Sequence, residues 1–132
     1  MKYELRAWRV DGAGSRAMAH GAEVALGTDL DGRPEALNPV ELLLSALAAC
    51  MIKGVERVSP MLDFAFDGVE VRLEAERQDA PPKLVSISYE IIVKTEERGP
   101  RLDLLHRNIL KYGTISNTLA AAVPLSGIIR RA

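Results

Sequence analysis

The chain has a single cysteine and two histidines, and these scarcities exclude several kinds of protein. One cysteine among 132 residues cannot form an internal disulfide, so the fold does not depend on an oxidising compartment. His20 and His106 have no partner at metal-ligand spacing, which argues against a zinc site. The sequence also lacks a phosphate-binding glycine loop and a Gly-x-Ser-x-Gly nucleophile motif. We therefore expect neither a metal nor a cofactor.

The chain also lacks an excess of charge of either sign. Its 17 basic and 18 acidic residues are mixed along the sequence and give a formal net charge of −1. This balance gives no electrostatic reason to expect nucleic acid or an anionic membrane as a partner. The first six residues carry charges where a signal peptide needs an apolar stretch, and the longest apolar run is shorter than the roughly 20 residues that span a bilayer. The expected location is the cytoplasm.

The pattern of apolar residues predicts one α+β domain over residues 1–132, with a mostly antiparallel sheet. Strands are predicted where apolar and polar residues alternate, most clearly in Val69–Glu76, and helices where apolar residues recur every three or four positions. The predicted strands are 2–10, 16–26 (one strand or two), 69–76, 84–95 and 126–130. The predicted helices are 39–58, 101–111 and 115–123.

The helix from Pro39 to about residue 58 has the clearest start and end signals. Asn38 suits the N-cap, Pro39 suits the first helical position, and Glu41 falls three residues after the cap, where it can close a capping box. Almost every residue up to Ile52 is apolar or small, which predicts a helix buried on all sides. The pair at 59–60, serine followed by proline, is expected to end it. Cys50 lies about three turns into this helix.

Two motifs resemble those of a known family. The stretch Asn38-Pro39-Val40-Glu41-Leu42-Leu43-Leu44, followed by Ala48-Ala49-Cys50, is similar to the central-helix signature of the OsmC/Ohr superfamily of thiol peroxidases. Downstream, Ile115-Ser116-Asn117-Thr118-Leu119 resembles the end of the Cys-Pro-Val-Ser-Asn-Thr-Leu motif of that family. Their order, their spacing and the order of predicted elements all fit the family.

The resemblance implies a fold, an assembly and an activity. It implies antiparallel sheets wrapped around a long buried central helix, in an intertwined homodimer with two sites at the subunit interface. It also implies peroxide reduction by the helix cysteine, with a second cysteine that resolves the sulfenic acid. Gly113 and Thr114 stand where the second cysteine and its proline would fall. Val40 stands where the organic-hydroperoxide branch has a glutamate, with Glu41 one position later.

A reactive Cys50 must be deprotonated, and apolar surroundings oppose this, so a cation is required nearby. The resemblance assigns this role to an arginine of the N-terminal strands, for which Arg16 is the best positional match and Arg9 and Lys53 are substitutes. Ala46 and Gly54, one turn to either side of Cys50, are small and predict open space beside the sulfur. Without the resemblance, Cys50 would be interpreted as a small core residue and Arg16 as a solvated one.

The leading hypothesis is therefore a redox protein of the oxidative stress response, with Cys50 and Arg16 as catalytic residues. It would reduce small hydroperoxides and depend on an external thiol reductant, because the chain has no second cysteine. The alternative is a non-enzymatic homodimer that binds a small apolar molecule at the subunit interface, with Cys50 as lining. A third hypothesis is a thiol carrier or redox sensor modified reversibly at Cys50.

Overall fold

The computed structural model describes all 132 residues and has the predicted α+β architecture. The chain divides into two compact units, Met1–Ser45 and Ala46–Ala132, and the boundary falls inside the longest helix. The elements in chain order are β1 (Arg6–Asp11), β2 (Gly14–Ala19), β3 (Ala22–Leu26), α1 (Pro39–Leu62), β4 (Gly68–Asp79), β5 (Pro82–Lys94), α2 (Gly99–Tyr112), α3 (Thr114–Ala120) and β6 (Leu125–Arg131). The expectation of a single domain stays a prediction. No helix is long and apolar enough to cross a membrane.

The first unit is built on an antiparallel sheet with the order β1-β2-β3. The segment 16–26, predicted as one strand or two, is a pair joined by a tight turn at His20 and Gly21. These two residues have φ values of 42° and 88°. Positive φ at both central residues is the signature of a type I′ hairpin turn, whose twist matches that of the flanking strands.

The start of α1 has the predicted capping box. The Asn38 N–H donates to Glu41 Oε1 and the Glu41 N–H donates to Asn38 Oδ1, each over 2.9 Å. Two of the N–H groups that a helix start leaves without partners are thereby satisfied. Glu41 thus has the capping role that its position three residues after Asn38 predicted.

The end of α1 differs from the prediction, because the helix continues past Pro60 to Leu62. Proline removes one backbone N–H but tolerates a last turn that is closed by other bonds. Here the Phe64 N–H donates to Ser59 O over 2.9 Å and the Asp63 N–H donates to Pro60 O over 3.4 Å. Asp63 has a φ of 51°, so the end of the helix is a Schellman motif. The expected stop at the serine–proline pair was wrong by one short turn.

Burial along α1 is confined to one stripe within this chain, although the helix is apolar or small for most of its length. The stripe contains Leu47, Met51, Gly54, Val55, Val58 and Ser59. Leu43 and Ile52 remain 36% and 40% exposed. The sequence predicted a helix buried on all sides, but the residues of a single chain bury only one side of α1.

The second unit contains a sheet with the order β4-β5-β6, in which β4 and β5 are antiparallel and β5 and β6 are parallel. The central strand β5 supplies much of the core, and α2 contributes a stripe at helical spacing. The fully or nearly fully buried residues of these two elements include Ile87, Ile91, Val93, Leu102, Leu105 and Ile109. The mostly antiparallel arrangement predicted from the sequence holds, and the return strand β6 is the exception.

Candidate functional site

Cys50 lies in α1 beside the junction of α2 and α3. Its thiol is free, and the residue is half-buried between the fully buried neighbours Leu47 and Met51 on the same helix. A Cβ atom built on Gly113 would lie 3.3 Å from Cys50 Sγ. The position that the resemblance gives to a second cysteine is therefore in contact with the thiol, and here it carries no side chain.

Gly113 is there for its size and not for its backbone conformation. Its φ of −83° and ψ of 108° are extended values that any residue can adopt. A Cβ at this position would, however, lie 3.0 Å from Ile109 O and would collide with Ser116 Oγ. The Ser116 hydroxyl and the Cys50 thiol thus both border the space that the missing Cβ leaves.

Three polar side chains of the second unit fix this junction. Ser116 Oγ donates to Gly113 O over 3.0 Å, and Asn117 Nδ2 donates to Lys111 O over 3.3 Å. Arg57 Nη1, from α1, donates to Tyr112 O over 3.2 Å. The bonds to Lys111 O and Tyr112 O occupy carbonyls at the C-terminus of α2 that have no partner inside the helix. Gly113 O lies just beyond α2 and also accepts from the Asn117 N–H. No local sequence pattern predicts the Arg57 bond, which joins residues 55 positions apart.

The space beside Cys50 is smaller than the sequence predicted. A Cβ on Gly54 would lie 3.1 Å from Ile109 Cγ2, so the Ile109 side chain of α2 fills the gap one turn after Cys50. Gly54 permits close packing of the two helices and does not leave a void. The open space that its size predicted is therefore occupied, and at Gly113 the Ser116 hydroxyl likewise lies close beside the sulfur.

The predicted cations lie in different parts of the chain. Arg16 lies on β2 in the first unit, 41% exposed, where its Nε donates to Glu23 Oε1 in an ion pair across to β3. Its terminal N–H groups have no partner. Arg9 lies on β1, opposite Ser15 of β2. Lys53 is exposed on α1, three residues after Cys50, and forms no ion pair. The catalytic pairing of Arg16 with Cys50 stays a prediction.

His106 has a partner that the sequence did not indicate. Tyr89 Oη and His106 Nε2 are 2.7 Å apart, and the rings meet edge to face with centroids 5.6 Å apart. Burial lowers the pKa of His106, against a smaller opposing effect of the Asp103 carboxylate, and burial raises the pKa of Tyr89. No group of three or more histidine, cysteine, aspartate or glutamate side chains is placed to hold a metal ion.

Comparison with known proteins places these features in a family. Solved structures share the fold along nearly the whole chain: an OsmC-like protein from Mycoplasma pneumoniae has a TM-score of 0.86 at 18% identity, covering 100% of this chain and 96% of that one. An organic hydroperoxide resistance protein OsmC from Legionella pneumophila has a TM-score of 0.76 at 19% identity, covering 96% of both chains. The organic hydroperoxide resistance protein OhrB of Bacillus subtilis has a TM-score of 0.65 at 15% identity, covering 98% of both chains.

No curated protein sequence matches the chain significantly. The family model described as OsmC-like protein matches residues 31–126, which include α1 with Cys50 and the α2–α3 junction with Gly113. Because this match covers most of the chain, the protein belongs to the OsmC-like family.

Proposed function

We propose that this protein is a cytoplasmic one-cysteine hydroperoxide reductase, active as a homodimer and dependent on an external thiol. The observation that carries the proposal is the contact between Cys50 Sγ and the α2–α3 junction at Gly113. The sulfur faces the position at which the family resemblance expects a resolving cysteine. The names of relatives such as the organic hydroperoxide resistance protein of Legionella pneumophila support a redox role in stress.

The proposed reaction has one chemical step at Cys50. The deprotonated sulfur attacks the terminal oxygen of a hydroperoxide, so that an S–O bond forms and the O–O bond breaks. The leaving alkoxide takes a proton and departs as an alcohol, or as water from hydrogen peroxide. Cys50 is oxidised by two electrons to the sulfenic acid, the first step of the cysteine oxidation ladder.

Arg16 is the proposed cation for this step. An arginine beside the thiol favours its charged form, and its planar set of N–H donors can orient a peroxide oxygen. The ion pair with Glu23 uses Nε alone, so the terminal N–H groups of Arg16 remain available for a second partner. The role requires that these groups reach the thiol of a working site.

Mass spectrometry after peroxide treatment tests the proposal. One equivalent of cumene hydroperoxide should produce a Cys50 sulfenic acid that dimedone traps, without a disulfide, and excess oxidant should drive it to the sulfinic acid. Turnover should require an added thiol and vanish in Cys50→Ser. Arg16→Ala should slow the oxidation by tenfold or more if a unit charge at about 4 Å is lost. Arg77→Ala, which also removes an arginine from an exposed ion pair, is the matched control and should leave the rate unchanged.

An unmodified Cys50 after prolonged exposure to several hydroperoxides would reject the reductase. That result would favour the non-enzymatic alternative, in which Cys50 lines a binding site for a small apolar molecule. Equal oxidation rates for wild type and Arg16→Ala would leave the reductase in place but remove Arg16 from its mechanism, and Lys53→Gln would then be tested.

A further inference from the structure

The part of the chain around Cys50 in the second unit is poor in acidic residues. No aspartate or glutamate follows Asp103, so the later half of α2, all of α3 and β6 carry none. On α1, the stretch from Ala46 to Leu62 has Lys53, Glu56 and Arg57 as its only acidic or basic residues. The charge balance of the whole chain therefore conceals a local excess of positive charge.

Three of the basic residues lie around the contact between Cys50 and Gly113. Lys53 is one helical turn after Cys50, at a spacing that places side chains on neighbouring surface. Arg57 reaches Tyr112 O, the carbonyl directly before Gly113. Lys111 Nζ lies 5.4 Å from the centroid of the Tyr112 ring. We call Lys53, Arg57 and Lys111 the cationic rim.

Capping of the C-terminus of α2 does not explain why three basic residues lie in the cationic rim. The last carbonyls of that helix accept from the Gly113 N–H, from Asn117 Nδ2 and from Arg57, so a single N–H group of the rim suffices for them. The ammonium groups of Lys53 and Lys111 form no hydrogen bond or ion pair. Glu56 is the one carboxylate on this stretch of α1, and it leaves a net charge of +2 among the four residues. All four side chains are exposed.

We propose that the cationic rim selects an anionic thiol as the reductant of Cys50, an inference that rests on the proposed function. The Cys50 sulfenic acid reacts with a first carboxylate-bearing thiol, so that an S–S bond forms and water leaves with the sulfenic oxygen. A second thiol attacks the bound sulfur of the mixed disulfide and releases the small disulfide and the Cys50 thiol. Two thiols are thereby oxidised by two electrons in total, and Cys50 is reduced by two. The rim concentrates negative charge on the part of the surface around the half-buried Cys50.

Alkylation tests the cationic rim without requiring any peroxidase activity. Iodoacetate and iodoacetamide differ in charge and little in size, so the ratio of their rates with Cys50 reports the local potential. In Lys53→Gln/Lys111→Gln, which removes two cations that form no hydrogen bond or ion pair, this ratio should fall about threefold at low salt. The effect should shrink when ionic strength is raised to 0.5 M, because salt screens exposed charges. Lys94→Gln, on β5, is the matched control and should leave the ratio unchanged.

Reduction of the oxidised protein then tests the choice of thiol. The rate with N-acetylcysteine relative to 2-mercaptoethanol should fall about threefold in the double variant, and the relative rate with cationic cysteamine should rise. An unchanged alkylation ratio in the double variant would overturn the cationic rim. A different result would reject the reductase: wild-type Cys50 that no hydroperoxide oxidises, although the alkylation ratio falls in the double variant. In that case the cationic rim would stand and the choice of thiol would fall with the reductase, so the two failures are distinguishable.

Discussion

Two buried serines in the second unit have opposite hydrogen-bonding states. Ser59 is 4% exposed and its hydroxyl has no partner, whereas Ser116 is 3% exposed and donates to Gly113 O. Burial of an unpaired hydroxyl costs free energy, whereas a paired hydroxyl contributes the net stability of its hydrogen bond. We therefore expect Ser59→Ala to leave the free energy of unfolding within about 0.5 kcal/mol of wild type or to raise it. Ser116→Ala should lower it by about 0.5–1.5 kcal/mol, because one hydrogen bond is lost while Gly113 O keeps its bond from the Asn117 N–H.

Urea denaturation of the two variants measures this difference, and each serves as the control of the other. Both substitutions remove one hydroxyl from a buried helical residue, so an effect of helix propensity or volume would be common to both. A greater loss of stability in Ser59→Ala than in Ser116→Ala would contradict the assignment. Ser116→Ala should also change the rate of Cys50 alkylation, because the hydroxyl borders the space beside the thiol.

At the scale of elements, the Tyr89–His106 contact joins β5 to α2 and should make stability depend on pH. Burial lowers the pKa of His106, while the histidine of the unfolded chain titrates near 6.5. Below about pH 6.5 the unfolded state therefore binds a proton before the folded state does. The contribution of neutral His106 is complete above that pH and is lost as the pH falls through the folded-state pKa. We expect the free energy of unfolding to decline between pH 7 and pH 5.

His106→Gln should flatten this decline, because glutamine keeps a polar partner for Tyr89 without titrating. The matched control is His20→Asn, which alters the exposed turn between β2 and β3, where asparagine tolerates the positive φ. Chemical denaturation at several pH values gives the comparison. A decline of the same slope in His106→Gln and wild type would show that other groups cause the acid sensitivity.

The element pattern was predictable from local signals, and the errors concerned element ends: α1 continues to Leu62, and the first strand begins at Arg6 and not at Lys2. Alternation located β4 and β5, and the Asn38–Glu41 capping box was correct because both partners lie within four residues. The prediction that α1 ends at Pro60 was wrong because the N–H groups of Asp63 and Phe64 close a further turn with hydrogen bonds that no local sequence pattern predicts. Contacts between residues far apart in the chain could not be predicted from local sequence patterns. Examples are Arg57 with Tyr112 and Tyr89 with His106. Only the resemblance to a family suggested that position 113 would lie near Cys50.

At the scale of the whole molecule, the chain exposes apolar side chains that a second copy could cover. They include Leu5, Val24, Leu30, Ile52, Met61 and Ile128, each at least 40% exposed. We expect light scattering at micromolar concentration to give a mass near twice 14.4 kDa. Ile52→Asp should shift the protein toward the monomer because it places a charge on the exposed side of α1, and Glu76→Lys, on a charged strand face, should not. A folded wild-type monomer would contradict the homodimer.

The ordinary backbone conformation of Gly113 has a consequence for the evolution of this protein. Since its dihedral angles suit any residue, the glycine constrains volume alone, and glycine and cysteine codons can differ by a single base. A thiol introduced there would meet Cys50 directly, provided that the Ser116 hydroxyl turned aside. The step between a chain that relies on outside thiols and one that supplies its own is therefore one codon change, together with a new rotamer for Ser116 and a small shift of the Ile109 carbonyl.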